Sequence, residues 1–380
     1  MRARAQACAI QDFIATPWQA VATCLLPLRW LRLLLCTLPL AALAALSSCA
    51  SGDGTIQSQR LNGIKARKQL ICGVDGKLPG FSFVTPEGQY SGFDVDICKA
   101  VAAAVLGDPT RVDYRDLSPS ERFAALASGE IDLLSRNTTL TLSRDATGGN
   151  GLSFAPTVFY DGQGVMVRAS SGITTLRGLA GKPICVGSGT TSELNLADRM
   201  REIHANYMPL KFQSNEQAFA AYLQGRCAAI TTDRSQLAAK RTSFPKPNEH
   251  NLLEAVLSKE PLTPATVNGD AGWADAVRWT LYALMQAEEL GITQANVKRK
   301  HAEAKANPDQ AELRRFLGID GDFGALLGLP NDFVVKAVGA MGNYGEIFER
   351  NVGQGSSLKL ERGLNRQWSE GGLIYSPPFR

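Results

Sequence analysis

Polar side chains crowd residues 135–145, directly after an apolar run at residues 131–134 that is typical of a buried strand. The segment contains Arg136, Asn137, Arg144 and several serine and threonine hydroxyl groups. A guanidinium group can hold a carboxylate through two parallel hydrogen bonds, and neighbouring hydroxyl and amide groups can complete its hydrogen bonding. The segment therefore predicts a concave binding site for a small zwitterion.

Within this segment, Arg144 could grip a carboxylate, while the hydroxyl groups of Thr139 and Thr141 could donate or accept hydrogen bonds. The alternative is that Arg144 is a surface residue paired with the adjacent Asp145. The sequence of this segment leaves both interpretations open.

A second candidate segment, Gly187-Ser-Gly-Thr-Thr-Ser-Glu193, joins a predicted strand to a predicted helix. Its glycines allow backbone N–H groups to approach a ligand, and the helix N-terminus favours an anion. Because no Gly-Lys-Ser/Thr follows, the loop is not of the Walker A type, and a carboxylate fits better than a phosphate. The alternative is a helix cap formed by Thr190 or Ser192 with Glu193.

A third candidate, Asp233, closes the segment Thr231-Thr232-Asp233 at the end of the strand predicted at residues 225–230, and ligands of open α/β sheets bind at the carboxyl ends of strands. Its carboxylate could accept hydrogen bonds from an ammonium group, or it could cap the helix that follows. Taken together, Arg144, the N–H groups of Thr190 and Thr191, and Asp233 complement the charges of an α-amino acid.

Along the part of the chain that contains these segments, short apolar runs alternate with helical patterns. Strands are predicted near residues 69–74, 112–114, 131–134, 183–186, 210–212 and 225–230. Helices are predicted between these strands, and the first helix has Asp94 as its N-cap. Further helices are predicted at 273–289, 294–305, 308–317, 332–340, 344–350 and 360–368. This alternation predicts a parallel α/β architecture.

Length and composition support a globular protein of two domains, with 380 residues, 44% apolar and 20% charged. The formal charge is +4, and without the four arginines and one aspartate that precede Cys49 the balance is 36 basic against 35 acidic residues. We therefore predict no nucleic-acid partner. The sequence also lacks a Cys/His metal-binding spacing, so we predict no metal and no cofactor.

The N-terminus has the features of an export signal. Arg29 and Arg32 precede a short apolar core that ends in Leu-Ser-Ser-Cys at Cys49, a pattern that resembles a bacterial lipobox. Cys49 would then be lipidated and would anchor the protein to a membrane. Ordinary cleavage after Ala50 is the alternative, and either processing places the protein in the periplasm.

The three candidate segments together resemble the bacterial extracellular solute-binding proteins of family 3, the amino-acid class that feeds ABC transporters. The family pattern matches residues 139–144 without a gap, Gly189-Thr190-Thr191, Asp233 and Gly92-Phe93-Asp94. Residues beyond Trp279 resemble the larger, general L-amino-acid-binding subgroup. The resemblance covers about residues 62–380.

The resemblance implies an α/β fold of the two-lobe, type II periplasmic-binding-protein class, with hinged parallel-sheet lobes that close on a ligand. It implies a monomer that binds an L-amino acid and delivers it to an inner-membrane ABC permease. The implied organisation is a signal peptide at 1–49, a tether at 50–63, lobe 1 at 64–161 and 262–305, lobe 2 at 162–261, and a C-terminal helical extension at 306–380 packed on lobe 1.

The resemblance also implies roles for single residues. Arg144, rather than Arg136, would bind the ligand carboxylate, with Thr139 and Asn137 as its neutral partners on lobe 1. Thr190, Thr191 and Asp233 would contact the ligand from lobe 2.

Departures from the family pattern concern the ligand side chain. Relatives often carry an aromatic residue near Leu78, with Phe81 close by in this chain, and a tryptophan where Leu140 stands. We expect Leu78 and Phe81 to contact the ligand and Leu140 to influence ligand preference.

Four cysteines remain beyond Cys49, namely Cys72, Cys98, Cys185 and Cys227. The two-lobe arrangement implies the pairs Cys72–Cys98 and Cys185–Cys227, because a bond between lobes would lock the hinge. Four reduced, buried thiols are the alternative.

Two other functions remain open at this stage. A periplasmic enzyme on the same fold would need a placed acid or base, and only Glu193 is a candidate, because His204, His250 and His301 lie outside the three segments. A sensor component that binds the ligand and contacts a receptor is the other alternative.

Overall fold

The computed structural model describes residues 58–380. The predicted signal peptide, Cys49 and the tether up to residue 57 lie outside the described residues.

Helix α1 (Gln59–Arg67) begins inside the segment that the sequence predicts as a tether. The tether prediction is therefore wrong for residues 59–63. The hydroxyl group of Ser58 accepts a hydrogen bond from the N–H of Leu61, and Leu61 and Ile64 are buried. The N-cap and the two buried apolar residues three positions apart stabilise this helix.

The strands are short, as in most mixed α/β proteins. They are β1 (Leu70–Val74), β2 (Lys77–Leu78), β3 (Ser82–Val84), β4 (Tyr90–Ser91), β5 (Val112–Asp116), β6 (Leu133–Leu134), β7 (Leu152–Phe154), β8 (Phe159–Asp161), β9 (Gln163–Arg168), β10 (Pro183–Gly187), β11 (Met208–Phe212), β12 (Ala229–Asp233), β13 (His250–Leu252), β14 (Glu260–Leu262) and β15 (Ala265–Val267).

The helices after α1 are more numerous in the C-terminal third. They are α2 (Phe93–Leu106), α3 (Arg122–Ser128), α4 (Leu142–Asp145), α5 (Thr191–Glu202), α6 (Asn215–Leu223), α7 (Arg234–Thr242), α8 (Ala271–Glu289), α9 (Val297–Ala306), α10 (Ala311–Phe316), α11 (Phe323–Leu326), α12 (Phe333–Met341) and α13 (Tyr344–Asn351).

Each lobe is built on a five-stranded sheet, with strand order β5-β1-β6-β15-β7 in lobe 1 and β11-β10-β12-β9-β13 in lobe 2. Strand β1 is parallel to β5 and β6, and β10 is parallel to β11 and β12. Strands β15 and β9 are antiparallel to their neighbours, so each sheet combines its predicted parallel strands with one antiparallel strand inside it. Each of these two strands comes directly after a segment that crosses between the lobes. No helix carries the chain back to the start of the sheet before the strand begins, so the strand runs in the opposite direction.

The two crossings are β8 and β14, which pair antiparallel with each other and form a two-stranded ribbon between the sheets. In this ribbon Glu260 lies opposite Asp161, and Leu262 lies opposite Phe159. The ribbon brings the carboxyl ends of β6 and β12 toward the same region, where the two lobes meet.

Helix α2 begins two residues earlier than predicted. Gly92, not Asp94, occupies the N-cap position, at a φ of 127° that strongly favours glycine. A Cβ atom at Gly92 would lie 2.3 Å from the carbonyl oxygen of Phe81. Asp94 is consequently inside the first turn of the helix and buried.

Disulfide bonds join Cys72 of β1 to Cys98 of α2, and Cys185 of β10 to Cys227 just before β12. These are the pairs that the two-lobe resemblance implies. Each bond ties a strand to a neighbouring segment of the same lobe, so neither crosses the cleft.

The C-terminal residues cover lobe 1. Helix α12 packs against α2, and α13 packs against α8, and their apolar side chains join the main core of lobe 1. The predicted helix at residues 360–368 is wrong, because only two 3-10 turns form there (Gly363–Asn365 and Trp368–Glu370). Gly363 adopts a positive φ angle of 50° that interrupts a regular helix. No helix among residues 58–380 combines the length and apolar character that crossing a membrane requires.

Candidate functional site

The three segments selected from the sequence meet where the two lobes contact each other. Residues 135–145 follow β6 and run past the ribbon, where the N–H of Leu140 donates to the carbonyl of Pro261 at 2.9 Å. The loop 187–190 leads from β10 into α5, and Asp233 ends β12. Because strand ends and a helix N-terminus converge here, this region can hold a charged small molecule.

Arg144 lies on α4 and is buried, with 6% of its surface exposed. Its Nη1 donates to the carbonyl oxygen of Thr139 at 2.8 Å, and its guanidinium lies 5.1 Å from the ring centre of Phe123. Burial lowers the pKa of Arg144, while the carboxylates of Glu260 and Asp233 oppose that effect. Within the described residues it forms no ion pair with Asp145, so the surface-pair alternative is not realised. The guanidinium keeps N–H donors available for a carboxylate.

Asp233 is also buried, at the N-cap position of α7, yet its side chain does not cap that helix. Its Oδ2 accepts a hydrogen bond of 2.7 Å from Nε2 of Gln236. Burial raises the pKa of Asp233 well above its ordinary value, and the nearby carboxylates of Asp161 and Glu260 raise it further. A carboxyl group in this environment gains from an added ammonium group.

Arg122 is a buried guanidinium that the sequence reasoning did not select. It lies in the first turn of α3, 4.6 Å from the Phe123 ring, and its Nε atom is buried without a hydrogen-bond partner. Burial lowers its pKa strongly, and the positive charges of Arg144 and Arg136 act in the same direction, whereas Asp233 opposes them. A single arginine in a helical segment carries no pattern that distinguishes it from a surface residue, so only the fold identifies it.

Glu260 of β14 is the second residue that the sequence reasoning missed. Its buried carboxylate accepts hydrogen bonds from the hydroxyl groups of Thr139 at 2.5 Å and Thr191 at 2.9 Å, and from Nδ2 of Asn195 at 2.8 Å. Thr139 belongs to lobe 1, and the other two donors belong to α5 of lobe 2. The two threonine hydroxyl groups selected as ligand contacts are thus bound to a carboxylate of the protein itself.

Thr190 acts as the N-cap of α5, which is the alternative that the sequence left open. Its Oγ1 accepts from the N–H of Glu193 at 3.2 Å and donates to the carbonyl of Gly187 at 2.7 Å. The carboxylate of Glu193 in turn accepts from the N–H of Gly189 at 3.1 Å and pairs with Lys211 at 2.6 Å. Glu193, the candidate catalytic acid, is therefore occupied in a helix cap and an ion pair.

Asn137 and Arg136 lie on the lobe 1 side. Asn137 has a φ of 42°, and its buried Oδ1 has no hydrogen-bond partner. Arg136 pairs with Asp75 at 2.6 Å and donates from Nε to the carbonyl of Leu117 at 2.6 Å. Arg136 thus has a carboxylate partner for its charge, whereas among the described residues the Arg144 guanidinium has no carboxylate within ion-pair distance and contacts the Thr139 carbonyl and the Phe123 ring.

The three apolar candidates, Leu78, Phe81 and Leu140, lie in different environments. Leu78 is buried and borders a cavity between the lobes. Phe81 is fully buried in the lobe 1 core, where its ring packs against Phe93 and Phe159, and it does not border that cavity. Leu140 is 36% exposed beside the ribbon.

The cavity between the lobes has a volume of about 190 Å³. Its wall includes Arg136 and Leu78 of lobe 1 and Gln236 and Lys240 of lobe 2. Because Gln236 also donates to Asp233, the cavity begins one side chain away from the buried carboxylate. Among the described residues, no group of three or more histidine, cysteine, aspartate or glutamate side chains has the arrangement of a metal site.

Comparison with known proteins gives one family. The profile of "Bacterial extracellular solute-binding proteins, family 3" matches residues 70–296. The general L-amino acid-binding periplasmic protein AapJ of Rhizobium johnstonii is 48% identical over 343 residues, which are 90% of this chain and 98% of AapJ. The glutamate/glutamine/aspartate/asparagine-binding protein BztA of Rhodobacter capsulatus is 47% identical over 339 residues, or 89% of this chain and 97% of BztA.

A solved structure shows the same fold over most of the chain. It is an ABC transporter periplasmic binding protein from Brucella ovis with glutathione bound, 49% identical in sequence. The superposition has a TM-score of 0.79 and covers 84% of this chain and 99% of the Brucella protein.

Proposed function

The chain belongs to family 3 of the bacterial extracellular solute-binding proteins, and from this membership we propose that it is the substrate-binding component of an amino-acid ABC transporter. It captures L-amino acids between its two lobes and presents the closed form to a membrane permease. The names of AapJ and BztA, each about half identical to the chain, support amino acids as the ligand class, and BztA supports a polar or acidic preference.

One observation carries this proposal. Arg144 of lobe 1 and Asp233 of lobe 2 are both buried where the lobes meet, and the carboxylate of Asp233 acts against the lowering of the Arg144 pKa by burial. An α-amino acid carries the complementary pair of charges, a carboxylate for Arg144 and an ammonium group for Asp233. A ligand that satisfies both residues bridges the lobes and stabilises the closed arrangement.

Within this proposal the remaining contacts are divided between side chains and backbone. The first N–H groups of α5, at Thr190 and Thr191, face the carboxylate side, with Asn137 as a neutral neighbour. Arg122 adds positive charge near the same position. Leu78 contacts the ligand side chain from the cavity, whereas the core position of Phe81 favours an indirect role.

Isothermal titration calorimetry of the purified protein with each of the twenty L-amino acids tests the proposal. We expect binding of several polar or acidic amino acids. If no amino acid produces a binding isotherm, the proposal is wrong.

Binding rather than catalysis is supported by the environments of Glu193, the candidate acid, and of the buried His250. Glu193 is held in the α5 cap, and Nδ1 of His250 lies 2.8 Å from the hydroxyl group of Tyr222 inside lobe 2. We propose that bound ligand leaves the site unchanged. Mass spectrometry of amino acids recovered after prolonged incubation checks this expectation.

The proposal also includes export of the protein and lipidation at Cys49. The lipobox-like sequence supports a mature protein that begins at a lipidated Cys49 and acts in the periplasm, with the inner-membrane permease as its partner. Mass spectrometry of the N-terminal peptide from membrane and soluble fractions distinguishes this form from cleavage after Ala50.

A further inference from the structure

The cavity beside Asp233 contains three cations, and two of them have carboxylate partners. Arg136 pairs with Asp75 at 2.6 Å, and Lys77 pairs with Glu216 at 3.0 Å. The remaining cation, Lys240 on α7, forms no ion pair with any residue of the described chain and donates only to a backbone carbonyl, that of Lys77, at 2.6 Å.

Lys240 is partly buried, and burial lowers its pKa. The carboxylates of Asp75 and Glu216 act in the opposite direction but have their own cationic partners. An ammonium group that has lost part of its hydration without gaining a carboxylate is favourably placed to bind an anionic group of a ligand.

A polar connection links this lysine's cavity to the buried carboxylate of the site. Nδ2 of Asn215 donates to Oε1 of Gln236 at 3.0 Å, and Nε2 of Gln236 donates to Oδ2 of Asp233 at 2.7 Å. Asn215, Gln236 and Lys240 all border the cavity, as does Leu78. The cavity wall is thus connected to Asp233 through the side chain of Gln236, and Leu78 adds an apolar surface to the same wall.

The other carboxylates of the cavity wall lie at its exposed rim. Asp116 is exposed and accepts from the hydroxyl group of Tyr90 at 2.9 Å, and Glu121 is exposed and accepts from the N–H of Ser118 at 3.1 Å. Solvent screens exposed charges more than buried ones, so Lys240 has the larger influence on a group inside the cavity.

We propose that Lys240 forms a subsite for a second carboxylate, and that the chain selects α-amino acids and γ-linked glutamyl peptides whose distal end is anionic. This inference rests on the proposed function, because the subsite requires an α-amino acid grip at Arg144 and Asp233. It adds a residue that determines selectivity, in a cavity that Gln236 separates from Asp233.

Paired ligands that differ only at the distal group test the subsite. The probes are L-glutamate with L-glutamine, L-aspartate with L-asparagine, and γ-L-glutamylglycine with its C-terminal amide, each titrated calorimetrically into the wild-type protein. We expect the wild-type protein to bind at least one acid about tenfold or more tightly than its amide. Lys240→Met should remove that preference, and Lys240→Arg should retain most of it.

Lys246→Met is the matched control, because Lys246 is an exposed lysine of the same lobe paired with Glu249. If Lys240 has only a structural role, through its hydrogen bond to the Lys77 carbonyl, Lys240→Met should weaken the binding of acids and amides equally. That result would overturn the subsite. A preference of the wild-type protein for amides, or for L-arginine and L-lysine over all acids, would overturn it as well. If no probe and no other amino acid binds, the proposed function itself fails.

Discussion

The hydroxyl group of Thr139 donates to the carboxylate of Glu260 at 2.5 Å, and this bond joins lobe 1 to the ribbon that enters from lobe 2. The same carboxylate accepts from Thr191 and Asn195 at the N-terminus of α5. Glu260 is 1% exposed, so its charge is compensated by these donors rather than by water. One buried carboxylate therefore connects both lobes at the hinge.

Glu260→Gln should lower the free energy of unfolding by about 1–3 kcal/mol, because an amide presents one acceptor oxygen in place of two and adds donors that face existing donors. Urea titration followed by tryptophan fluorescence measures the change. Glu254→Gln, at an exposed position of the segment that leads to β14, is the control and should have little effect. Equal stability of both variants would contradict the role of Glu260.

Arg144→Ala and Asp233→Ala should each weaken amino-acid binding by about 2–5 kcal/mol, because each leaves one charge of the ligand buried without its partner. Calorimetry with the tightest-binding amino acid measures the loss. Arg177→Ala removes an exposed arginine of lobe 2 and should leave affinity unchanged. If Arg144→Ala binds as tightly as the wild type, another cation, such as Arg122, holds the carboxylate.

Affinity should depend on pH through Asp233. Its pKa is raised in the protein, first by burial and then by Asp161 and Glu260, whereas an ammonium ligand favours the ionised form. Below the raised pKa the free protein holds a proton that binding must release, so affinity should fall as pH decreases through that value. Calorimetry with L-glutamine in buffers of different ionisation enthalpy should detect proton release, and a flat profile between pH 8 and pH 5 would contradict the assignment.

Local patterns in the sequence were sufficient for much of the architecture. Long periodic segments such as α8 and α13 form close to their predicted bounds, because a buried apolar face repeats every three or four residues. The orientation of β9 and β15 could not be predicted from such patterns. It depends on where the chain crosses between lobes, which is a property of the whole fold.

The residues of the candidate site also form two groups, those that the sequence indicates and those that only the fold identifies. Arg144 and Asp233 follow strands and carry recognisable spacing, and both are buried at the junction of the lobes. Arg122 and Glu260 lie 22 residues before and 27 residues after these positions, on elements that only tertiary packing brings to the site. A buried charged residue without a motif is indistinguishable from a surface residue until its neighbours are known.

Removal of the lobe 2 disulfide should lower stability without changing affinity. The bond Cys185–Cys227 closes a chain segment with a sequence separation of 42 residues, and loop-closure entropy predicts a loss of about 4 kcal/mol in the double variant Cys185→Ser/Cys227→Ser. Both cysteines lie within lobe 2, away from Arg144. Denaturant titration and calorimetry on the same sample measure the two effects, and a large loss of affinity in a folded variant would contradict this separation.

Asp94 should make the folded protein less stable as pH rises. Burial raises its pKa to about 7, with Asp75 acting in the same direction, and its Oδ2 is buried without a hydrogen-bond partner. The folded state therefore holds a proton that the unfolded state releases near pH 4, so the stability from this group is complete below pH 4 and is lost as pH rises to about 7. The difference corresponds to about 4 kcal/mol at most. In Asp94→Asn this dependence should disappear, so the variant should gain stability relative to the wild type between pH 4.5 and pH 8 in urea titrations. An unchanged difference between the two proteins across that range would show that Asp94 is already ionised at the lower pH.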